Sequence, residues 1–208
     1  MPGHRTIYNA TTKETAYAES LAWFRRKLGQ SVPDLSALLD DVDSAADGWA
    51  QVEREWQSLG HMTPGVLPAS WRNERSLYEL RLPEDEGYFI DVTHADSIAA
   101  ITDGLGPQLA VLGVEEVDLS LLTSERRDVT CLIAAWVHGA ILADGSLPHG
   151  IVYPSRHGTG DDWAVWLRQV DDGKPIAKEP TREAQSHAID LSDPDLKKVL
   201  RRFGLKTH

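Results

Sequence analysis

The sequence predicts an α+β fold, formed as one compact domain over residues 1–208, with two small domains as the alternative. A chain of 208 residues that is 41% hydrophobic can bury a full core, and no stretch of its composition marks a clean linker. Segments with helical periodicity occur at 12–28 and 126–142, while segments with strand-like alternation occur at 76–82, 88–92, 150–153 and 163–168. Both kinds of element therefore share one chain.

Thr11-Thr12-Lys13-Glu14 has the spacing of a capping box with Thr11 as the cap, so a helix should begin there. Tyr17, Leu21, Phe24 and Leu28 recur on one helical face, and Gly29 supplies a left-handed stop. Glu19 lies off that apolar stripe. Residues 33–75 read as a helical insertion: Pro33 opens a first helix, and Trp49, Val52 and Trp56 share a face of the next. The glycines and prolines between Gly60 and Pro68 predict a loop.

Ser76 to Leu82 and Tyr88 to Val92 alternate about an acidic turn, Glu84-Asp85-Glu86-Gly87, which predicts a hairpin. Thr93 to Asp96 should cap a short helix through Ile98 and Ile101, and 117–122 reads as a strand. The helix at 126–142 should bury Cys131, Ile133, Ala134, Trp136 and Val137, with His138 packed in it. Gly150 to Tyr153 begins a strand, and Pro154 holds Tyr153 extended before the chain turns at Ser155. A turn displays its hydroxyl. Gly158 and Gly160 free the backbone before the alternating run from Trp163. Residues 171–186 look irregular, Ile189 and Leu191 suggest an edge strand, and Ser192 to Asp195 should cap a final helix with a solvated basic face at Lys197, Lys198, Arg201 and Arg202.

A formal charge of −11 makes the surface as a whole repel phosphate backbones and anionic lipid, which argues against nucleic-acid and membrane partners. With no apolar leader, no long apolar run and Cys131 as the one cysteine, the expected setting is a reducing cytoplasm without disulfides. Eight histidines without an HExxH sequence or a close pair argue against a metal site. There is no Walker loop, Gly104 with Gly106 lacks a third glycine in the dinucleotide spacing, and Ser155 lacks the GxSxG elbow.

What remains is a set of dispersed groups. Arg5-Thr6-Ile7-Tyr8, Thr15 to Glu19 and Gly150-Ile151-Val152-Tyr153-Pro154-Ser155, with Gly160 and Trp163 downstream, offer a cation, an aromatic ring, a carboxylate and a hydroxyl. In order and spacing they resemble the RES domain family, named for its arginine, glutamate and serine. The similarity runs from Arg5 to about Leu191 and leaves 33–75 as the insertion. It implies an ADP-ribosyltransferase-like fold and NAD+ degradation, by phosphorolysis or hydrolysis, with inorganic phosphate as the co-substrate of the former. NAD+ is then a substrate, and no cofactor is implied. Many relatives are toxins paired with a helical, DNA-binding antitoxin, so the expected partners are NAD+ and a cognate antitoxin, with a homodimer as the general prior.

The resemblance assigns Arg5 to the substrate phosphate or ribose, Tyr8 to the nicotinamide end, Glu19 to the reacting ribose and Ser155 to substrate positioning. The chemistry fits these groups. Nicotinamide on ribose is already a cationic leaving group, so the demand is a carboxylate near C1 that stabilises an oxocarbenium-like sugar. Family members also carry an arginine on a segment upstream of the position of Arg5. Only four residues precede Arg5 here, which predicts the loss of that segment and a weaker enzyme unless Arg156 or Arg126 replaces the cation. Two other outcomes stand beside cleavage: ADP-ribosyl transfer to a macromolecule, and a catalytically idle module that binds NAD+ or regulates a partner.

Overall fold

The computed structural model describes residues 4–25, 65–81, 87–170 and 182–207. In chain order the elements are β1 (His4–Ala10), α1 (Lys13–Leu21) with a 3-10 turn at Ala22–Phe24, β2 (Val66–Leu67), α2 (Ala69–Asn73), β3 (Ser76–Arg81) and β4 (Phe89–Asp91). There follow α3 (Ala95–Val111), α4 (Leu119–Leu122), α5 (Arg127–Gly139), β5 (Gly150–Pro154), β6 (Asp161–Val170), β7 (Arg182–Ala188), α6 (Pro194–Phe203) and β8 (Lys206–Thr207). The fold is α+β. It divides into two compact units, Met1–Glu19 with Tyr78–Ser186, and Ser20–Leu77 with His187–His208.

The first unit is built on a four-stranded sheet in the order β1-β6-β5-β4, antiparallel except for the parallel pair β4 and β5. A parallel pair needs a long crossover, and the stretch from β4 to β5 supplies it with α3, α4 and α5. Ile101, Leu105 and Leu109 on α3, and Val129, Ile133 and Val137 on α5, repeat every four residues and are buried with Val92, Leu122 and Trp166 in one core. The apolar side chains of each helix therefore form one stripe. Arg168 of β6 donates to the carbonyls of Pro148 and His138, which ties the strand to the C-terminal end of α5.

In the second unit, α6 begins at an Asp193 cap with Pro194 in its first turn and ends at Gly204, whose φ of 64° is the left-handed stop that glycine tolerates. Its buried Leu196, Val199 and Leu200 belong to the same unit as the buried Phe24, Leu67 and Trp71, and Phe24 meets Trp71 edge to face at 6.4 Å. β2 and β8 pair in parallel through Val66 and Lys206.

Several sequence expectations are corrected. β3 and β4 do not form a hairpin: β3 pairs with β7 and β4 with β5. Alternation specifies that a segment is extended and which face it buries, and it leaves the partner open. Residues 119–122 are a helical turn where a strand was expected, because the Asp118 side chain accepts from the Leu121 amide at 2.7 Å and caps it. The cap of α1 is Thr12, one residue later than predicted, with its Oγ1 accepting from the Thr15 amide at 3.1 Å. The helix closes at Leu21, short of 28. α3 runs to Val111 where a short helix was expected, and the strand near the C-terminus is Arg182–Ala188, ahead of Ile189. Of the proposed helical insertion, 33–64 lies outside the described residues, as do Gly29 and the acidic turn at 84–86; within 65–75 stand β2 and α2. Among the described residues no helix is long and apolar enough to cross a membrane.

Candidate active site

The site begins where β5 ends. After Pro154 the chain folds back on itself, closed by the Ser155 amide donating to the Gly160 carbonyl at 3.0 Å. Inside that loop Ser155 Oγ accepts from the amides of His157 at 3.2 Å and Gly158 at 2.7 Å, the local bonding that fixes a serine turn. Its hydroxyl proton is therefore free to point outward, and it is donated to Glu19 Oε1. The same oxygen accepts from the His157 amide at 3.2 Å. Two segments 136 residues apart in sequence thus meet through one side-chain hydrogen bond.

The loop can reach Glu19 because it lies directly on α1. Thr15 is fully buried and shares a hydrogen bond with Thr12 at 2.9 Å, while the Gly160 amide donates to Thr15 Oγ1 at 3.1 Å. A Cβ on Gly158 would stand 2.6 Å from Thr15 Cγ2 and 2.8 Å from its Cα, so only glycine permits this approach. Thr11, displaced from the capping role, joins the start of β6 instead: its amide and hydroxyl both donate to the Asp161 carbonyl, and Trp163 Nε1 donates to its Oγ1 at 3.1 Å.

Strand register adds a residue that sequence reasoning missed. Asp162 on β6 stands opposite Ala10 on β1 and opposite Tyr153 on β5, and it is 8% exposed. Glu19, Ser155 and Asp161 are the neighbouring groups that act on its carboxyl. Burial, reinforced by the neighbouring Glu19 charge, pushes it up to about 7. Burial also raises the Tyr153 phenol, with Asp162, Tyr8 and Glu19 adding to the effect, so Tyr153 stays a neutral hydroxyl through the physiological range.

One row further along the sheet, Tyr8, Ala164 and Ile151 stand side by side. They line a cavity of about 240 Å³ with Tyr153, Trp166, Ile133, Ala134, Cys131 and Arg156 among its other walls. Its size falls just below the roughly 300–1,000 Å³ of drug-sized ligand sites. Glu19, Ser155 and Asp162 are not in its lining; Tyr153 is the wall on which the charges of Glu19 and Asp162 also act.

The predicted site residues are therefore placed as follows. Glu19 and Ser155 are bonded to each other, and Tyr8, 73% exposed, borders the cavity. Arg5 is half-buried in β1 at the register shift between His4 and Thr6 and does not line the cavity. The two substitute cations separate clearly. Arg156 lines the cavity and pairs with Glu125 at 3.1 Å, whereas Arg126 is spent on the Leu112 carbonyl and on Asp128 at the start of α5. Among the described residues no group of three or more His, Cys, Asp or Glu side chains is arranged to hold a metal.

Compared with protein-family models, curated proteins and solved structures, the chain matches none. The resemblance to RES proteins is one of short motifs alone, from Arg5 to Tyr8, at Glu19 and from Gly150 to Ser155.

Proposed function

We propose that this chain is an NAD+-degrading enzyme that cleaves the bond between nicotinamide and ribose, by phosphorolysis or hydrolysis. The observation that supports it is the hydrogen bond from Ser155 Oγ to Glu19 Oε1, beside a cavity walled by Tyr8 and Tyr153. Because the leaving nicotinamide is already cationic, no acid is needed to expel it; the barrier lies in the positive charge that develops on the ribose. A carboxylate fixed by two donors answers that need, since it does not have to reorient as the charge appears. Tyr8 offers an aromatic face to a base, and Arg156 offers a planar fork to phosphate oxygens once it leaves Glu125. On the family resemblance Arg5 serves the same end of the substrate. A toxin-type role, a cytoplasmic setting and an antitoxin partner belong to the same reading.

The test is direct. Purified protein is incubated with NAD+, with and without inorganic phosphate, and nicotinamide is followed by chromatography. Release in both buffers indicates hydrolysis, and release only with phosphate indicates phosphorolysis. If label from the ADP-ribose half collects on a macromolecule, transfer replaces both. Absence of nicotinamide in every arm rejects the reading.

A further inference from the structure

Among the described residues that wall the cavity of Tyr8 and Tyr153, Arg156 is the only charged side chain. Its Nη2 donates to Glu125 Oε1 at 3.1 Å, and Glu125 stands outside the lining with its side chain 83% exposed. We propose that Glu125 is a specificity-determining residue of the site: it holds Arg156 while the cavity is empty and yields it to a phosphate group, so that the site takes phosphorylated ribosides and not unphosphorylated ones. For the identity of the substrate this rests on the NAD+-cleaving reading; for the exchange of one anion for another it does not.

Both side chains hang from backbone that is already fixed. The Ser155 amide donates to the Gly160 carbonyl and the His157 amide to Ser155 Oγ, so Arg156 is carried between two residues that each donate to Glu19. An anion held by Arg156 is therefore tied to the Glu19 carboxylate through one pinned turn of chain, which serves a substrate that carries both a phosphate and a reacting ribose. On the other side Arg126, next to Glu125, is anchored on the Leu112 carbonyl at 2.7 Å and on Asp128, and its amide donates to Ser124 Oγ at 3.3 Å. The ion pair can open by side-chain rotation alone.

Magnitudes decide which anion Arg156 keeps. With only one contact between side chains 40% and 83% exposed, the pair is screened by water, and such pairs favour the closed state by at most about fivefold. A phosphate engages the planar fork through two oxygens, and charge-assisted bonds of that kind favour the bound state by about tenfold or more. The hydroxyls of the wall point to the same place. Thr123 and Thr130 spend their protons on the carbonyls of Leu119 and Arg126, whereas among the described residues Ser124 Oγ only accepts, which leaves its proton for an incoming oxygen. A riboside without phosphate has nothing to exchange for the Glu125 carboxylate, so Arg156 stays paired.

The test uses the full chain at about 0.15 M salt, where exposed charges more than about 8 Å apart are largely screened. Calorimetry follows binding of ADP, inorganic phosphate and adenosine, NAD+ serves for turnover, and melting curves check that each variant is folded. Glu125→Gln should tighten ADP about two- to fivefold, and Arg156→Gln should weaken it about tenfold or more. In the Arg156→Gln background, Glu125→Gln should have no further effect. KM for NAD+ should follow the ADP affinities, and adenosine should not distinguish the variants. Equal tightening with and without Arg156 is a general effect of charge and overturns the exchange. So does an ADP affinity that ignores Glu125→Gln, or the absence of ADP and phosphate binding altogether. Should inorganic phosphate follow the variants while ADP does not, the anion exchanged is the free co-substrate and the selection among ribosides is overturned. ADP binding that follows all three variants without any release of nicotinamide leaves the exchange standing and rejects NAD+ cleavage.

Discussion

Replacing Asp162 by Asn should make the protein more stable at pH 8 and leave it unchanged at pH 4. Burial and Glu19 raise the Asp162 carboxyl from 3.8 in the unfolded chain to about 7 in the fold. Between those values the folded state binds a proton that the unfolded state has released, so raising the pH through this window favours unfolding. At about 1.4 kcal/mol per pKa unit the cost approaches about 4 kcal/mol above pH 7, and water entry or a shift of Glu19 reduces it to about 2. Asparagine occupies the same volume and removes the cost. For a chain of this size 1 kcal/mol moves Tm by roughly 2–4 °C, so the variant should melt about 4–15 °C higher than the native protein at pH 8. Among the described residues, the aspartates held low by hydrogen bonds act outside this window. Asp91, where hydrogen bonds from Thr93 outweigh burial, and Asp144 and Asp190, held low by Ser146 and Ser192, are all depressed below 3.8. They contribute stability that is present above their unfolded value and lost only as the pH falls through their folded values, outside the window from about 4 to 7. Calorimetric melts of both proteins at unit pH steps give the difference curve. If it is flat between pH 4 and 7, burial does not hold the Asp162 carboxyl protonated in the fold.

Two further substitutions separate assembly of the site from its chemistry. Ser155→Ala removes the donor to Glu19 and the acceptor of two loop amides, a loss of about 1–3 kcal/mol of transition-state stabilisation, so kcat/KM for NAD+ should fall roughly 5–150-fold; an unchanged value would remove Ser155 from the site. Gly158→Ala should lower thermal stability by about 1–3 kcal/mol and reduce turnover as well, because the new Cβ meets the Cα of Thr15 as well as its methyl and the loop must lift from α1; a stable variant with native turnover would show that the loop does not rest there.

The meeting of Glu19 with Ser155 was expected from the order of the RES-like motifs, because neither residue announces it locally. The turn after Pro154 exposes a hydroxyl because proline fixes its predecessor as extended, while Glu19, off the Tyr17, Leu21, Phe24 stripe, taken alone reads as a solvated helical glutamate. Those three apolar residues are indeed buried. Strand partners were not legible, since Ser76 to Leu82 and Tyr88 to Val92 alternate well enough for a hairpin while β3 and β4 each find a partner from more than 50 residues away. Nor was the helical turn at Leu119–Leu122, where Val117, Leu119, Leu121 and Leu122 fit strand and helix equally and a single aspartate cap decides.

Asp162 was overlooked for a different reason, and a signal for it was present. Trp163, Val165 and Leu167 were read as alternating with Ala164, Trp166 and Arg168, starting the strand at Trp163. The hydrogen-bonded strand begins at Asp161, because Thr11 secures its carbonyl and the loop from Ser155 closes on Gly160. Carrying the same period back by two residues puts Asp162 in phase with Ala164 and Trp166, which are 3% and 5% exposed. An acid in phase with a buried apolar row must be neutralised, paired or unfavourable, and the partner has to come from an element laid across that row. The only carboxylate that the motifs had already brought toward Ser155 is Glu19. The burial of Asp162 was thus specified by strand phase, while the Glu19 charge that adds to it comes from a helix that phase cannot see.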